Sequence, residues 1–516
     1  VVTGARPVAA GGARPFERAR RLAVAALAGL AMSLAFPRPG WDLLGWVALA
    51  PVLALAVTAA TPRAALLEGW VAGLAFFTPL LRWLTHTMTT FSEITPPVAV
   101  LVLLALAAYL ALFWGGVAGG VAWLGGRHGP RALWLAPALW VTAELLRGQL
   151  LSGFPWGLLG YVPSRRLLVI QVAAWTGVYG VSALLVLVNT ALAWVALERR
   201  GRAAAAAGLV ALAAVGGTLL VGRAHLPGGT APTVPVAVVQ GNIAQAVKWD
   251  AAFKGETLRV YGELTRAAAP GSRLVLWPEA AVPAYVRFEP GAMRWLIDLA
   301  TSVGVPLLVG VPDAEIEGRA TRYLNSAFLV DSAGVRARYD KIHLVPFGEY
   351  VPLKRLLFFV EAMAAEIGDF TPGRRVTIFP LEGTPFGTVI CYEVIFPDLF
   401  RRFVAEGATF MTNITNDAWF GDSGGPLQHL AMVPLRAVEN RVAIVRAANT
   451  GVSALVLPSG EIRTMLPLGA RGTFRGEVPL RRGQTFYARF GDVFAYACAA
   501  MSAAALAGGL AAGRRG

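Results

Sequence analysis

Apolar positions in this chain fall into two regimes. Over residues 1–222 they form long, almost unbroken runs, and from about 233 to 482 they form short bursts between polar and turn-forming residues. A helix needs about 20 apolar residues to cross a bilayer. The long runs predict seven such segments, near 21–36, 42–60, 64–84, 97–124, 131–147, 167–197 and 204–222, with an eighth near 491–512. The later region predicts strands at 234–240, 273–277, 306–311, 325–331, 386–391, 408–413, 442–447 and 452–457. Helices are predicted between them near 250–268, 290–303, 397–406 and 428–440. This alternation belongs to an α/β or α+β domain. With a Pro/Gly linker at 227–235, the chain divides into a membrane bundle (1–222), an α/β domain (223–490) and a final transmembrane helix (491–516).

Composition supports the membrane assignment. Apolar residues make up 56 % and charged residues 15 %, against roughly 25 % charged in a soluble chain, and mean hydropathy is +0.57. The net charge of +15 would suit nucleic-acid binding. Here, however, arginines gather at the ends of apolar runs (Arg18, Arg20 and Arg21; Arg199, Arg200 and Arg202), where topology signals and anionic headgroups place them. Nucleic acid is therefore not expected as a partner. With a cytoplasmic N-terminus, the inside segments also collect Arg6, Arg14, Arg63, Arg127, Arg131, Arg514 and Arg515. The short outside loops hold only Arg38, Arg82, Arg147, Arg165 and Arg166. Seven crossings then put residues 223–490 outside, which in a bacterium is the periplasmic face of the inner membrane. The first run resembles a signal peptide but lacks a small-residue cleavage site before Phe36-Pro37.

Only Cys391 and Cys498 are present, and no Cys/His spacing suggests zinc. Cys498 falls in the last apolar run and reads as a small buried hydrophobe. Cys391 ends the apolar strand of Gly387-Thr388-Val389-Ile390-Cys391-Tyr392-Glu393, ahead of a turn toward Pro397 and a helix. A strand-to-helix turn exposes a nucleophile and offers the following N–H, that of Tyr392, to an oxyanion. Two further motifs follow strands. In Leu276-Trp277-Pro278-Glu279, Trp and Pro are expected to desolvate Glu279 and raise its pKa toward that of a general base. In Tyr339-Asp340-Lys341-Ile342-His343-Leu344-Val345-Pro346-Phe347-Gly348-Glu349-Tyr350, apolar residues, Pro and Gly suggest a packed turn holding Lys341. Such an ammonium stabilises a thiolate or an oxyanion. A Cys391–His343 pairing stays open at this point.

Singly these motifs are weak. Jointly, in this order, they resemble the nitrilase superfamily, with its Glu-Lys-Cys triad on an αββα sandwich. Across the whole chain the pattern is similar to the membrane-bound apolipoprotein N-acyltransferases within it. The resemblance implies Glu279 as base, Lys341 as electrophilic partner and Cys391 as nucleophile, without cofactor or metal. It also implies supporting roles for Trp249, Glu349, Tyr392 and Glu393, while Trp419 is a lipid-facing candidate together with Phe420. The implied reaction is ping-pong. A phospholipid donates its acyl chain to Cys391, and the α-amine of a diacylated apolipoprotein takes it, in a protein expected to be monomeric. The stretch Leu356–Val360, after Lys354 and Arg355, fits either a core helix or a membrane-dipping arm within residues 354–364.

Two rivals remain. A membrane-anchored amidase would use the same triad with water as acceptor, although one anchor would then suffice. A transporter with an extracytoplasmic binding domain would need charges along an intramembrane path, where the spans offer chiefly Glu68 and Glu144.

Overall fold

The computed structural model describes residues 15–198, 201–226, 231–245, 251–318, 320–350 and 370–513. Its first part is helical: α1 (Pro15–Leu34), α2 (Ala50–Thr58), α3 (Pro62–Leu80), α4 (Trp83–Phe91), α5 (Pro96–His128), α6 (Ala136–Arg147), α7 (Leu167–Ile170), α8 (Ala173–Thr176), α9 (Val178–Glu198) and α10 (Arg202–His225). A C-terminal helix, Val493–Gly513, returns to this bundle, where Ser502 bonds Thr142 of α6 and the Gly509 carbonyl accepts from Arg127 of α5.

Each apolar run lies on helix, but not every run is one long helix. Among the described residues, four helices are long and apolar enough to cross a membrane: α5, α9, α10 and the C-terminal helix. A fifth crossing results if α3 and α4, bent by 50°, are taken as one span. The shortfall from eight has local causes. Helix α1 opens with Glu17, Arg18, Arg20 and Arg21, and α2 and α6 have 9 and 12 residues. The sixth run breaks into α7, α8 and α9, with Gly177 at positive φ before the last. Helices α3 and α5 approach closely because Gly73 meets Ala111 and Gly69 meets the Trp114 carbonyl, at distances that leave no room for a Cβ. Glu68 on α3 is held by Arg21 of α1 through two bonds of 2.5 and 2.9 Å, so it does not stand as a free charge along a path.

The second part is a sandwich of two six-stranded sheets. The strands are β1 (Thr233–Gln240), β2 (Leu274–Leu276), β3 (Leu307–Glu317), β4 (Ala320–Asp331), β5 (Gly334–Asp340), β6 (Ile378–Phe379), β7 (Phe386–Ile390), β8 (Phe410–Thr415), β9 (Ile444–Ala448), β10 (Ser453–Val456), β11 (Ile462–Leu466) and β12 (Gly472–Pro479). One sheet runs β12-β1-β2-β3-β4-β5 and the other β11-β10-β9-β8-β7-β6. Strand alternation separates two cores. Val236, Val238, Leu274, Leu276 and Leu308 pack toward the second sheet. Their neighbours Ala237, Val239, Val275 and Leu307 pack under the outer helices Lys254–Ala268 and Pro290–Val303. Helices Pro397–Ala405 and Gly425–Asn440 accompany the second sheet, completing four layers.

The helix Gly425–Asn440 is also the seam with the bundle, which is why almost every one of its residues is buried. Gln428 accepts from Trp156 Nε1 at 2.9 Å and donates to the Leu80 carbonyl at 3.2 Å. Glu439 accepts from the Val178 N–H that opens α9, at 2.9 Å. Buried residues of both parts consequently belong to one continuous apolar core.

Candidate active site

The ends of β2, β5, β7 and β8 bring their following residues together between the two sheets. Glu279 follows β2 in a turn that closes with Ala280 at φ +46°. Gly310 of β3 lies directly under this turn, because a Cβ there would come within 2.4 Å of the Pro278 carbonyl oxygen. Trp277 does not do what its sequence position suggested. It points to the opposite face, stacks on Tyr261 and donates Nε1–H to Thr265 at 2.9 Å. Its indole therefore anchors the turn from behind, and Glu279 is buried by the facing sheet instead.

Lys341 follows β5 and is only 1 % exposed. Its Nζ donates to Glu349 Oε1 at 2.9 Å and to Glu279 Oε1 at 3.3 Å. Burial opposes its charge, but Glu279, Glu349 and Cys391 outweigh that effect and hold its pKa above the ordinary lysine value. Asn325 on β4, which the sequence did not single out, donates Nδ2–H to both of the same carboxylate oxygens at 2.8 Å. Glu279 Oε2 accepts the Asn416 N–H from the end of β8 at 2.9 Å, which ties the two sheets together at the site. Glu349 Oε2 accepts the Val345 N–H and closes the Lys341 turn.

Cys391 ends β7 at φ +50° and starts the 3₁₀ turn Cys391–Ile395. Burial and the Glu279 carboxylate push its thiol pKa up, with Lys341 pulling the other way. Burial thus favours the neutral thiol at Cys391. Glu393 has no exposure, and its two oxygens accept from four donors: the Tyr339 hydroxyl and the N–H groups of Ile342, His343 and Ile390. It clamps the Lys341 turn to the Cys391 turn, and burial pushes its carboxyl up to about 7 against the pull of those donors. The Tyr392 ring is buried edge-on against Phe396, and its hydroxyl has no hydrogen-bond partner among the described residues.

His343 is not brought to Cys391 as a base. It stacks flat on Phe396 at 3.9 Å, and burial, then Arg402, lowers its pKa. Trp419 is 36 % exposed, meets Phe91 of α4 edge-on and accepts from Thr87 through its carbonyl. Phe420 turns inward against Trp83 and Trp156. Both belong to the contact between the sandwich and the bundle. Trp249 and residues 354–364 lie outside the described residues.

A carboxylate and an ammonium beside a buried thiol at a strand end can deprotonate it and stabilise an oxyanion. Fold and site together define a carbon–nitrogen-hydrolase type of catalytic domain seated on a helical membrane bundle. Residues 235–487 match the carbon-nitrogen hydrolase family model, and residues 28–191 match the apolipoprotein N-acyltransferase N-terminal domain. The chain is 44 % identical over 492 residues to the apolipoprotein N-acyltransferase of Geobacter metallireducens, covering 93 % of each. It is 36 % identical to that of Methylococcus capsulatus, covering 92 % of this chain and 93 % of the relative. Among solved structures, an amidase from Nesterenkonia sp. is similar at 20 % identity and a TM-score of 0.37, covering 52 % of this chain and 94 % of that one. The chain belongs to the apolipoprotein N-acyltransferase family, and it is an acyltransferase enzyme.

Proposed function

We propose that the protein transfers an acyl chain from a phospholipid to the α-amine of a diacylglyceryl-cysteine at an apolipoprotein N-terminus, through a thioester on Cys391. The observation that carries this reading is Lys341 held between Glu279 and Glu349 beside a buried, positive-φ Cys391. Glu279 takes the thiol proton as sulfur attacks the ester carbonyl. Lys341 and the Tyr392 N–H hold the oxyanion, and the glyceryl oxygen leaves with the proton returned by Glu279. The amine then attacks the thioester, gives its proton to Glu279 and leaves as an amide while Cys391 is regenerated. Glu349, Tyr392 and Glu393 support the triad, and Trp249 and Trp419 are assigned to substrate contact.

The bundle fits this substrate pair, because drawing an acyl chain into water costs about 0.8 kcal/mol per CH₂. Helix α10 leaves Leu209, Leu212 and Leu220 at 65–71 % exposure, a face suited to lipid. We infer a multi-pass inner-membrane protein, monomeric, crossing through at least the four long apolar helices. The arginine distribution supports a cytoplasmic N-terminus and a periplasmic catalytic domain. The pairing of Glu68 with Arg21 weighs against a transport path.

Mass spectrometry of the purified protein after exposure to phospholipid tests the thioester. A hydroxylamine-labile acyl adduct is expected on Cys391 and should be absent from Cys391→Ala. Acyl transfer to a lipopeptide amine that persisted in Cys391→Ala would sink the mechanism.

A further inference from the structure

His429 lies on the helix Gly425–Asn440 with no exposure to solvent, directly behind the nucleophile turn. Its Nε2 is 3.2 Å from the Cys391 carbonyl oxygen. That oxygen can only accept, so Nε2 carries the hydrogen. Nδ1 faces Arg446 Nη2 at 3.1 Å and Asp417 Oδ1 at 3.2 Å. Arg446 can only donate; it also reaches Asp417 Oδ2 at 2.7 Å and Asn413 Oδ1. Thr415 donates to Asp417 Oδ1 at 2.9 Å. Burial, reinforced by the Arg446 charge, keeps the His429 pKa below its ordinary value. The ring therefore donates to Cys391 at Nε2, while its Nδ1 lies between the Arg446 guanidinium and the Asp417 carboxylate.

This arrangement acts on one peptide unit. The Cys391–Tyr392 bond is trans, so its carbonyl and its N–H point in opposite directions within one plane. The Tyr392 N–H sits in the first turn of Cys391–Ile395, where the turn itself supplies no acceptor. Cys391 is in the left-handed region, a conformation that lasts only where its surroundings enforce it. On one side the enforcement is Glu393, which accepts the Ile390 N–H at 2.8 Å. On the other it is His429.

We propose that His429 is a positioning residue of the oxyanion site: by holding the Cys391 carbonyl toward the helix Gly425–Asn440, it aims the Tyr392 N–H, at the opposite edge of the same peptide, at the substrate oxyanion. Hydrogen bonding at the carbonyl also polarises the unit and strengthens its N–H as a donor. Asp417 and Arg446 hold the ring from behind and set its plane. The inference rests on the thioester reading above, with the Tyr392 N–H as a donor to the oxyanion.

The test measures the rate of acyl-adduct formation on Cys391 in the full-length protein, with dioleoyl phosphatidylethanolamine in mixed micelles. His429→Leu removes the donor, and His429→Gln keeps an N–H at the reach of Nε2. Deleting an oxyanion donor outright costs about 10²–10³-fold. A donor left in place but misaimed is expected to cost about 10–100-fold in the maximal acylation rate, with the half-saturating lipid concentration unchanged. His429→Gln should recover most of that loss. Thermal melts in detergent accompany each variant, so that a misfolded protein is recognised and a loss of rate is read only on a folded one. An unchanged rate in His429→Leu, or a folded His429→Gln as slow as His429→Leu, would overturn the proposal while leaving the thioester intact. No adduct on the unsubstituted protein would overturn both.

Discussion

The Lys341 ammonium and the Asn325 amide share the same two carboxylate oxygens, one from Glu279 and one from Glu349. One cation alone would leave two buried carboxylates facing each other with a single neutralising partner. The amide dilutes that repulsion and fixes where Glu279 points. Hydrogen bonds to charged groups contribute about 1.5–3 kcal/mol, so Asn325→Leu is expected to lower the maximal rate of acyl transfer about 10–150-fold. Asn325→Asp should be worse, because it adds a third carboxylate. Steady-state kinetics of the two variants against the unsubstituted protein check both statements, and equal activity of all three would refute them. Asn325 also marks the limit of legibility at this scale. Glu279, Lys341 and Cys391 could be picked out because each ends a strand inside an unusual local motif. Asn325, His429 and Arg446 sit inside strands or a helix without a local motif around them, and nothing local says that the fold will collect them. Trp277 shows the complementary error, since adjacency to Glu279 suggested contact and strand alternation sent the indole the other way.

At the scale of elements, the eight strands expected from sequence are the inner ones, β1–β4 and β7–β10. The four that escaped, β5, β6, β11 and β12, are the edges of the two sheets. Edge strands are kept polar or short to discourage pairing with other chains, and that removes the apolar signal used to find them. Gly334–Asp340 carries Arg336 and Arg338, Ile378–Phe379 has two residues, and Gly472–Pro479 includes Arg475 and Glu477. The membrane runs fared differently: their helical character was legible, but the breaks at Gly177 and between α3 and α4 were not, because apolar composition continues across them. Inner strands position the site through close backbone contact, and Gly310 is the tightest case. A methyl group there would lie 2.4 Å from the Pro278 carbonyl oxygen and 2.6 Å from Glu279 Cα. These are backbone atoms, so the turn itself must move. Gly310→Ala is expected to lower stability by about 1–3 kcal/mol through overpacking and to impair acyl transfer more than binding of phospholipid. Thermal melting together with the split between kcat and KM would show it, and a variant matching the unsubstituted protein in both would refute it.

For the molecule as a whole, the question is what holds a water-facing sandwich in one orientation over a bundle. Apolar burial is continuous across the seam, but it is not directional. Direction comes from buried polar contacts, and the most demanding is Arg436 with Glu439. Both side chains are fully buried, and Nη2 meets Oε1 at 2.8 Å while the same Oε1 accepts the Val178 N–H of α9. Removing one partner of a buried pair leaves an uncompensated charge and destabilises by about 3–5 kcal/mol. Here the loss should depend on pH. Burial already raises the Glu439 carboxyl to about 7, with Arg436 holding it down, so without Arg436 the carboxyl binds its proton more tightly still. A group whose folded pKa lies above its unfolded value contributes stability at low pH that is lost as pH rises through the folded pKa. Arg436→Met should therefore melt closer to the unsubstituted protein at pH 6 than at pH 8. The double variant Arg436→Met, Glu439→Gln removes the titrating group and should lose that slope. It should also recover part of the stability, since an uncharged pair needs no compensation. Melting midpoints in detergent at the two pH values decide the matter: a single variant equally destabilised at both, or a double variant with the same slope, would show that the pair does not set the stability of the seam.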